Sequence, residues 1–235
     1  MSGTTAPNDV AARLETAIAA AQLAGRETLR WFGDAGLVVD VKSDASPVTQ
    51  ADRAAEAILR RELLGAFPAD AFLGEETGAT AGTSGYEWIV DPIDGTKSFI
   101  RGVPLYATLV GCRHGGRGVL GVIAIPALDE MVHAARGGGA WHTKAARGRV
   151  ESACGVVRTW GDGYGYLLVA TGRAEIMVDP LLNAWDAAAV DVVVTEAGGR
   201  FSDWQGRDSI DSGDGVATNG VVHADMLRHL VPNRE

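Results

Sequence analysis

The twelve residues from Trp88 to Phe99, "WIVDPIDGTKSF", restrict the chain more than any other stretch. Trp88 to Val90 is an apolar run of the kind that makes a buried strand. It stops on Asp91, and Asp94 follows three residues later across Pro92, which stiffens the turn. Two acids at the mouth of one apolar strand repel each other unless a cation lies between them. Gly95 and Thr96 come next. Gly lets another group approach the backbone closely, and a helical turn starting there would point free N–H groups outward, where an anion fits. Thr96 adds a hydroxyl able to hold a water.

The stretch thus offers ligands for a cation and donors for an anion side by side. Mg²⁺ takes oxygen ligands in octahedral geometry and keeps several waters. The carboxylates of Asp91 and Asp94 and the carbonyl of Ile93 suit it. An EF-hand loop is excluded, because counting from Asp91 its first, third and fifth positions hold Asp, Ile and Gly. A haloacid-dehalogenase-type phosphatase places its acids two apart, the first being a covalent nucleophile. The spacing of three argues for metal ligands and a water nucleophile.

The chain has 235 residues, 46% of them hydrophobic, so a large core can be buried. The net charge of −9 disfavours nucleic acid or an anionic membrane as a partner. It also means that a phosphate substrate needs local positive charge. Cys112 and Cys154 are too few for a disulfide framework and lack metal-ligand spacing, so both read as small buried residues. Met1 to Asn8 and Pro232 to Glu235 read as loose ends. No signal-peptide pattern and no membrane-length apolar segment occurs, and the expectation is a soluble cytoplasmic protein.

Apolar spacing predicts a helix from Asp9 to Phe32 ended by Gly33. A second follows the N-cap Thr49, with Asp52 at its third position, and runs to about Gly65. Strand-like runs occupy Ala71 to Leu73, Trp88 to Val90, Ala107 to Cys112, Val119 to Ile125 and Met131 to Ala135. Tyr164 to Thr171 reads as helix, Glu175 to Val178 as strand, and Trp185 to Ala197 as helix ended by Gly198 and Gly199. The pattern predicts a layered α+β or α/β architecture with two sheets.

Acids recur at the ends of these elements. Glu75 and Glu76 follow a strand, Asp186 stands in the first turn of a helix, and Asp52 in the first turn of another. First-turn acids often only complement the helix dipole, so Asp52 and Asp186 also have a purely structural reading. His142 and His223 read as surface residues.

"SPVTQAD", "GEE", "DPIDGTKSF", and "WDAAA" followed by "TEAGG" together resemble the inositol monophosphatase superfamily, in order and spacing, over nearly the whole chain. "DPIDGTKSFIRGVPLYATLVG" and "RTWGDGYGYLLVATGRAE" are similar to its histidinol-phosphatase branch. The resemblance implies an αβαβα sandwich and an Mg²⁺-dependent phosphomonoesterase acting on histidinol phosphate. Alternatives are inositol monophosphate or a related sugar phosphate, and a shortened paralogue that binds metal or phosphate but turns over weakly.

It implies that Glu75, Asp91, the carbonyl of Ile93, Asp94 and Asp186 hold two or three Mg²⁺ ions. Glu75 and Thr96 would orient the attacking water, with Asp52 supporting Thr96. The Gly95 and Thr96 amides would take the phosphate. Glu76 matches a position near the metals. Asp162 would line the substrate pocket with Gly161. Asp179 is either a turn residue before Pro180 or a contact to the substrate's organic part, where an acid suits an ammonium. Lys97, Arg101 and Arg158 lie nearby in sequence and read equally as solvated charges. One domain over 1–235 is implied, with halves at roughly 9–148 and 155–231, assembled as a homodimer. One departure stands out. Only Glu151 to Cys154 join "AWHTKAARGRV" to "GVVRTWGD", where the family carries a strand and a helix, so a reduced second sheet is expected.

Overall fold

The computed structural model describes residues 7–34, 36–41, 47–144 and 162–230. Its elements in chain order are α1 (Pro7–Leu29), β1 (Val39–Val41), β2 (Pro47–Thr49), α2 (Gln50–Ala66), β3 (Ala71–Gly74), β4 (Gly78–Thr80), β5 (Tyr86–Asp94) and α3 (Thr96–Phe99). Then come β6 (Ala107–His114), β7 (Arg117–Ile125), β8 (Glu130–Ala135), β9 (Ala140–Lys144), α4 (Asp162–Ala170), β10 (Ile176–Asp179), α5 (Ala184–Glu196), β11 (Arg200–Ser202), β12 (Gly215–Thr218) and α6 (His223–Leu230).

The main sheet has seven strands in the order β4-β3-β5-β6-β7-β8-β9. Only β3 and β5 run parallel; every other neighbouring pair is antiparallel. Both of its faces are covered. Ala17, Ala21, Leu59 and Leu63 from α1 and α2 pack with Trp88, Val90, Val110 and Val122 on one face. Leu167 and Val169 of α4 and Val190 and Val193 of α5 pack with Leu109, Ile123 and Val132 on the other. Burial on both faces explains why "ATLVGC" and "VLGVIAI" are nearly continuous apolar runs and do not alternate. A second sheet, β10-β12-β11, lies beyond α5, which touches it through β11 and β12. The order helices, sheet, helices, small sheet is the layered α+β architecture. Among the described residues the small sheet has three strands. The shortened link, with Cys154 and Arg158, lies outside the described residues.

Thr49 caps α2 as expected. Its hydroxyl accepts from the Ala51 N–H, and the Asp52 carboxylate accepts from the Thr49 N–H at 2.7 Å, a capping box. His223 corrects the surface reading. It is buried, with Nε2 2.9 Å from the Ser202 hydroxyl and Nδ1 3.1 Å from that of Thr218, and so ties α6 to β11 and β12. One histidine gives no apolar period from which such an anchor could be read. His142 is exposed, as expected, though it pairs with buried Glu130 at 2.9 Å.

A close approach fixes α5. Gly111 and Gly121 face each other across β6 and β7. A Cβ on Gly111 would lie 2.7 Å from the Ala188 Cβ, and one on Gly121 would lie 2.3 Å from the Ala189 carbonyl oxygen. The helix therefore sits directly on the sheet, and Asp186 in its first turn is brought to the end of β5. Gly121→Ala is expected to push α5 outward and cost about 1–3 kcal/mol, the usual penalty of overpacking. Urea denaturation measures it, and an unchanged midpoint would mean that α5 has slack.

Candidate active site

In a regular strand, residues three apart face opposite sides. Asp91 and Asp94 nevertheless converge, because β5 bulges between them. Asp91 pairs with Leu109 and Asp94 with Ala107, so three steps along β5 match two along β6. Pro92 is tolerated at the bulge, where no ladder hydrogen bond is required of it. The Pro92 carbonyl accepts from the Thr108 hydroxyl at 3.0 Å, and Asp91 Oδ1 accepts from the Ile93 N–H at 2.9 Å. Both contacts hold the bulge in shape.

Asp186 arrives from the other side as the third residue of α5. Its Oδ2 accepts from the Asn183 N–H at 2.9 Å, a capping box with Asn183. The structural and functional readings of this residue thus coexist: one oxygen caps the helix while the carboxyl reaches the site. Carboxylate oxygens of Asp91, Asp94 and Asp186 lie within 4.8 Å of one another.

Burial pushes the Asp91 carboxyl well above the usual range, and repulsion from Glu75, Asp94 and Asp186 adds to it. Asp94 is pushed well up by burial, then by Asp162 and Asp186. Burial lifts Asp186 to about 6. The charges that act most strongly on this trio are other carboxylates, an arrangement that suits a cation. Three clustered buried oxygen donors fit a hard divalent ion. Glu75, just past β3, stands outside the tightest group but acts on Asp91, Asp186 and Asp52.

Gly95 has φ 87° and starts α3, the left-handed conformation that glycine permits. The Ser98 and Phe99 N–H groups bond back to the Gly95 carbonyl at 2.8 and 3.0 Å. Those of Gly95, Thr96 and Lys97 stand outside the turn's own bonds, as at any helix start. The Thr96 hydroxyl lies 3.1 Å from the Ile93 carbonyl oxygen and 3.4 Å from Asp52 Oδ1. Asp52 and Thr96, 44 residues apart, are therefore neighbours. The Ile93 carbonyl is in the site, and here it accepts from Thr96.

On the far side, α4 begins at Asp162, and the Gly163 N–H donates to Asp94 Oδ2. A cavity of about 60 Å³ is lined by Asp94, Asp162, Tyr166, Asp179, Leu182 and Asp186, among others. The structure thus places Asp162 and Asp179 in one cavity with Asp94 and Asp186. Lys97 is exposed at the rim and acts on Asp162, whose carboxyl burial raises. Arg101 bonds the Lys97 carbonyl and is exposed. Arg158 and Gly161 lie outside the described residues.

Glu56 was not singled out from sequence, and the site depends on it. Buried in α2, it accepts from the Glu76 N–H at 2.7 Å and the Thr77 N–H at 2.8 Å. A Cβ on Gly74 would collide with it at 2.4 Å. It shapes the turn that presents Glu75. The available signal was a charged residue on the apolar face of α2, next to Ala55 and Leu59. Glu56→Ala is expected to take away the acceptor shared by two half-buried N–H groups of the turn and to cost about 1–3 kcal/mol, with a fall in turnover as Glu75 loses its position. Thermal unfolding and initial rates test both, and normal values in each would remove the role.

Clustered buried carboxylates beside a glycine-started turn define a site of the metal-assisted phosphate class. The comparisons with known proteins give the family. The inositol monophosphatase family model matches residues 9–154 and 142–235, and the chain belongs to that family. The two matched pieces meet at the shortened link. Histidinol-phosphatase of Chlorobaculum parvum is 40% identical over 91% of this chain and 95% of its own length. Inositol-1-monophosphatase of Mesorhizobium japonicum is 36% identical over 92% and 95%. The solved structure of the extragenic suppressor protein suhB from Bartonella henselae is 30% identical, with a TM-score of 0.78 over 94% of this chain and 99% of that one. The alignment with the Chlorobaculum protein runs over 247 positions against the 235 residues here, so the relative carries residues that this chain lacks. No described helix is long and apolar enough to cross a membrane.

Proposed function

We propose that this chain is an Mg²⁺-dependent phosphomonoesterase that hydrolyses histidinol phosphate to histidinol and phosphate. The observation that carries the reading is the convergence of Asp91, Asp94 and Asp186 within 4.8 Å beside the Gly95 turn. Relatives named histidinol-phosphatase, at 34–40% identity over about nine-tenths of the chain, support the substrate. Inositol-1-monophosphatases at 34–36% keep inositol phosphate as the runner-up.

Asp91, Asp94, Asp186, Glu75 and the Ile93 carbonyl would hold two or three Mg²⁺ ions. Bound there, the ions would acidify the attacking water and neutralise charge on the leaving oxygen. The chain's own groups do the rest. The Gly95 and Thr96 N–H groups receive phosphate oxygens and fix the phosphorus in line for attack. Asp52 draws the Thr96 hydroxyl proton toward itself, which leaves a Thr96 lone pair to accept from the water. Glu75 would take that water's proton. Asp162 and Asp179 face the organic part of the substrate. The homodimer belongs to the same proposal, and sedimentation showing only a monomer at assay concentration would remove it.

The test is phosphate release from histidinol phosphate, inositol 1-phosphate and other esters, each with Mg²⁺ and with EDTA. Turnover of histidinol phosphate with Mg²⁺ and none with EDTA is expected. Better turnover of inositol phosphate would move the substrate and keep the phosphatase. Binding of phosphate with no turnover of any ester would favour the weakly active paralogue.

A further inference from the structure

Two acids in the second half of α5 occupy places that electrostatics disfavours. Asp191 lies between Val190 and Val192 and is 5% exposed. A carboxylate left unpaired there is costly. Glu196 is the last residue of α5, where the helix presents the negative end of its dipole and an acid is opposed. Both acids find their partners on the main sheet. Arg136, just past β8, donates from Nη2 to Asp191 Oδ2 at 3.2 Å and from Nε to the Gly118 carbonyl at 2.8 Å. Its backbone N–H donates to the Val119 carbonyl at 2.9 Å. Glu196 Oε1 accepts from the Gly137 N–H at 3.0 Å and Oε2 from the Gly139 N–H at 3.1 Å, in the turn between β8 and β9. Gly118 leaves the room: a Cβ there would stand 2.9 Å from Val192 Cγ2 and 3.3 Å from Asp191 Oδ2.

These contacts supply what the packing of α5 does not. Gly111 and Gly121 set how closely the helix lies on the sheet, but the surfaces that meet there are glycine and alanine, which resist sliding little. Asp191 and Glu196 are about 7.5 Å apart along the helix axis and about 140° apart around it. Two points so placed hold a helix against both sliding and turning. Asp186 stands on the same rigid element, five residues before Asp191, and moves with it. Ahead of α5 the Leu182 N–H donates to the Gly213 carbonyl at 3.0 Å. That contact ties the entry of the helix to the loop between β11 and β12, not to the main sheet, which carries Asp91 and Asp94. We propose that Asp191 and Glu196, held by Arg136 and the β8–β9 turn, are positioning residues that set the register of α5 against the main sheet and so place Asp186 for Mg²⁺. The inference rests on the metal reading of the acid cluster. Mg²⁺ demands near-ideal octahedral geometry, so a small slip of α5 weakens the metal site while the apolar packing of the helix survives.

The rise of Tm with Mg²⁺ concentration, starting from EDTA, gives an apparent Kd without any turnover. Arg136→Met combined with Asp191→Leu replaces the ion pair by apolar side chains, an exchange that often leaves stability equal or higher. Its Tm in EDTA is expected to match or exceed the wild-type value, while the apparent Kd for Mg²⁺ rises about three- to thirtyfold, the range for coupling through a packed element. Glu196→Gln turns an amide NH₂ toward one of the two glycine N–H groups and removes a charge that the dipole opposes. A Kd raised about threefold at an unchanged Tm in EDTA is expected of it. Leu63→Ala, in α2 on the other face of the sheet, is expected to lower Tm and leave Kd unchanged, which separates misplacement from general loss of stability. If the double variant does not fold, Asp191→Asn, which keeps an acceptor for Arg136 without the charge, takes its place in the comparison. Wild-type affinity in one α5 variant removes that acid from the proposal, and wild-type affinity in both overturns it. A Kd that rises as much in Leu63→Ala as in the α5 variants overturns it too, because lost stability then accounts for the effect. A wild-type protein whose Tm ignores Mg²⁺ removes the metal reading itself.

Discussion

Replacing Asp94 by Asn is expected to lower kcat/KM by roughly 10³-fold or more, the scale on which charge stabilisation is lost in a water-excluded site, while the fold survives. A neutral amide is a poor ligand for a hard cation. It still accepts a hydrogen bond, so the contact from the Gly163 N–H persists. Asp91→Asn should behave alike. The metal-free protein gives a second readout. Asp91, Asp94 and Asp186 are raised above their unfolded values by burial and mutual repulsion. The folded state therefore binds more protons, and its stability falls as pH rises from about 4, the ordinary carboxyl range. The loss continues through about 6 for Asp186, and Asp91 and Asp94, also raised, add to it. In EDTA the Tm should drop from pH 5 to pH 8. Mg²⁺ should restore it at pH 8, and Asp94→Asn should flatten the decline. An Asp94→Asn variant with wild-type turnover, or a wild-type Tm in EDTA that rises with pH over this interval, would remove the metal assignment.

Much of this site could be read from residue order, and the reason is local. Thr49 and Asp52 form a capping box whose signature lies within four residues, and α2 starts where that signature says. Asp91 and Asp94 stand out because acids interrupt an apolar run. The helical turn after Gly95 follows from glycine's access to positive φ. What stayed hidden depends on distant partners. The convergence of Asp91 and Asp94 needs a bulge, which exists only against β6. The contact between Asp52 and Thr96 joins the end of a capping box to a turn 44 residues away. Nothing in the run of apolar residues says that Gly111 and Gly121 will meet across two strands and admit α5. The strands β11 and β12 have only three and four residues, too short for a period to register, and β12 finds its partners in β10 and β11. Glu56 and His223 are polar residues buried by hydrogen bonds from other elements, and composition assigns such residues to the surface.

Removal of the Thr96 hydroxyl should be nearly as damaging, and its kinetic form tests how the chain orients water. The hydroxyl has one proton and two acceptors within reach, Ile93 O at 3.1 Å and Asp52 Oδ1 at 3.4 Å. Asp52 Oδ2 is occupied by the Thr49 N–H and hydroxyl at 2.7 and 2.6 Å. Those two donors hold the carboxyl with Oδ1 toward Thr96. If the Ile93 carbonyl were to hold a cation, Asp52 would be the acceptor left for the Thr96 proton, and the hydroxyl would turn toward it. A lone pair then faces the water. Thr96→Ala is expected to lower kcat by about 10²–10⁴-fold, the range for groups that handle a proton in the transition state, and to change KM much less. Thr96→Ser should keep most of the rate. Asp52→Asn should imitate Thr96→Ala in part, because its amide can present an N–H to Thr96 and turn the hydroxyl the wrong way. The double variant should then lose little beyond Thr96→Ala alone, since the two residues act as a unit. Steady-state kinetics on the four variants decide the matter. A change confined to KM in Thr96→Ala would make Thr96 a phosphate contact only, and additive losses in the double variant would separate Asp52 from the water.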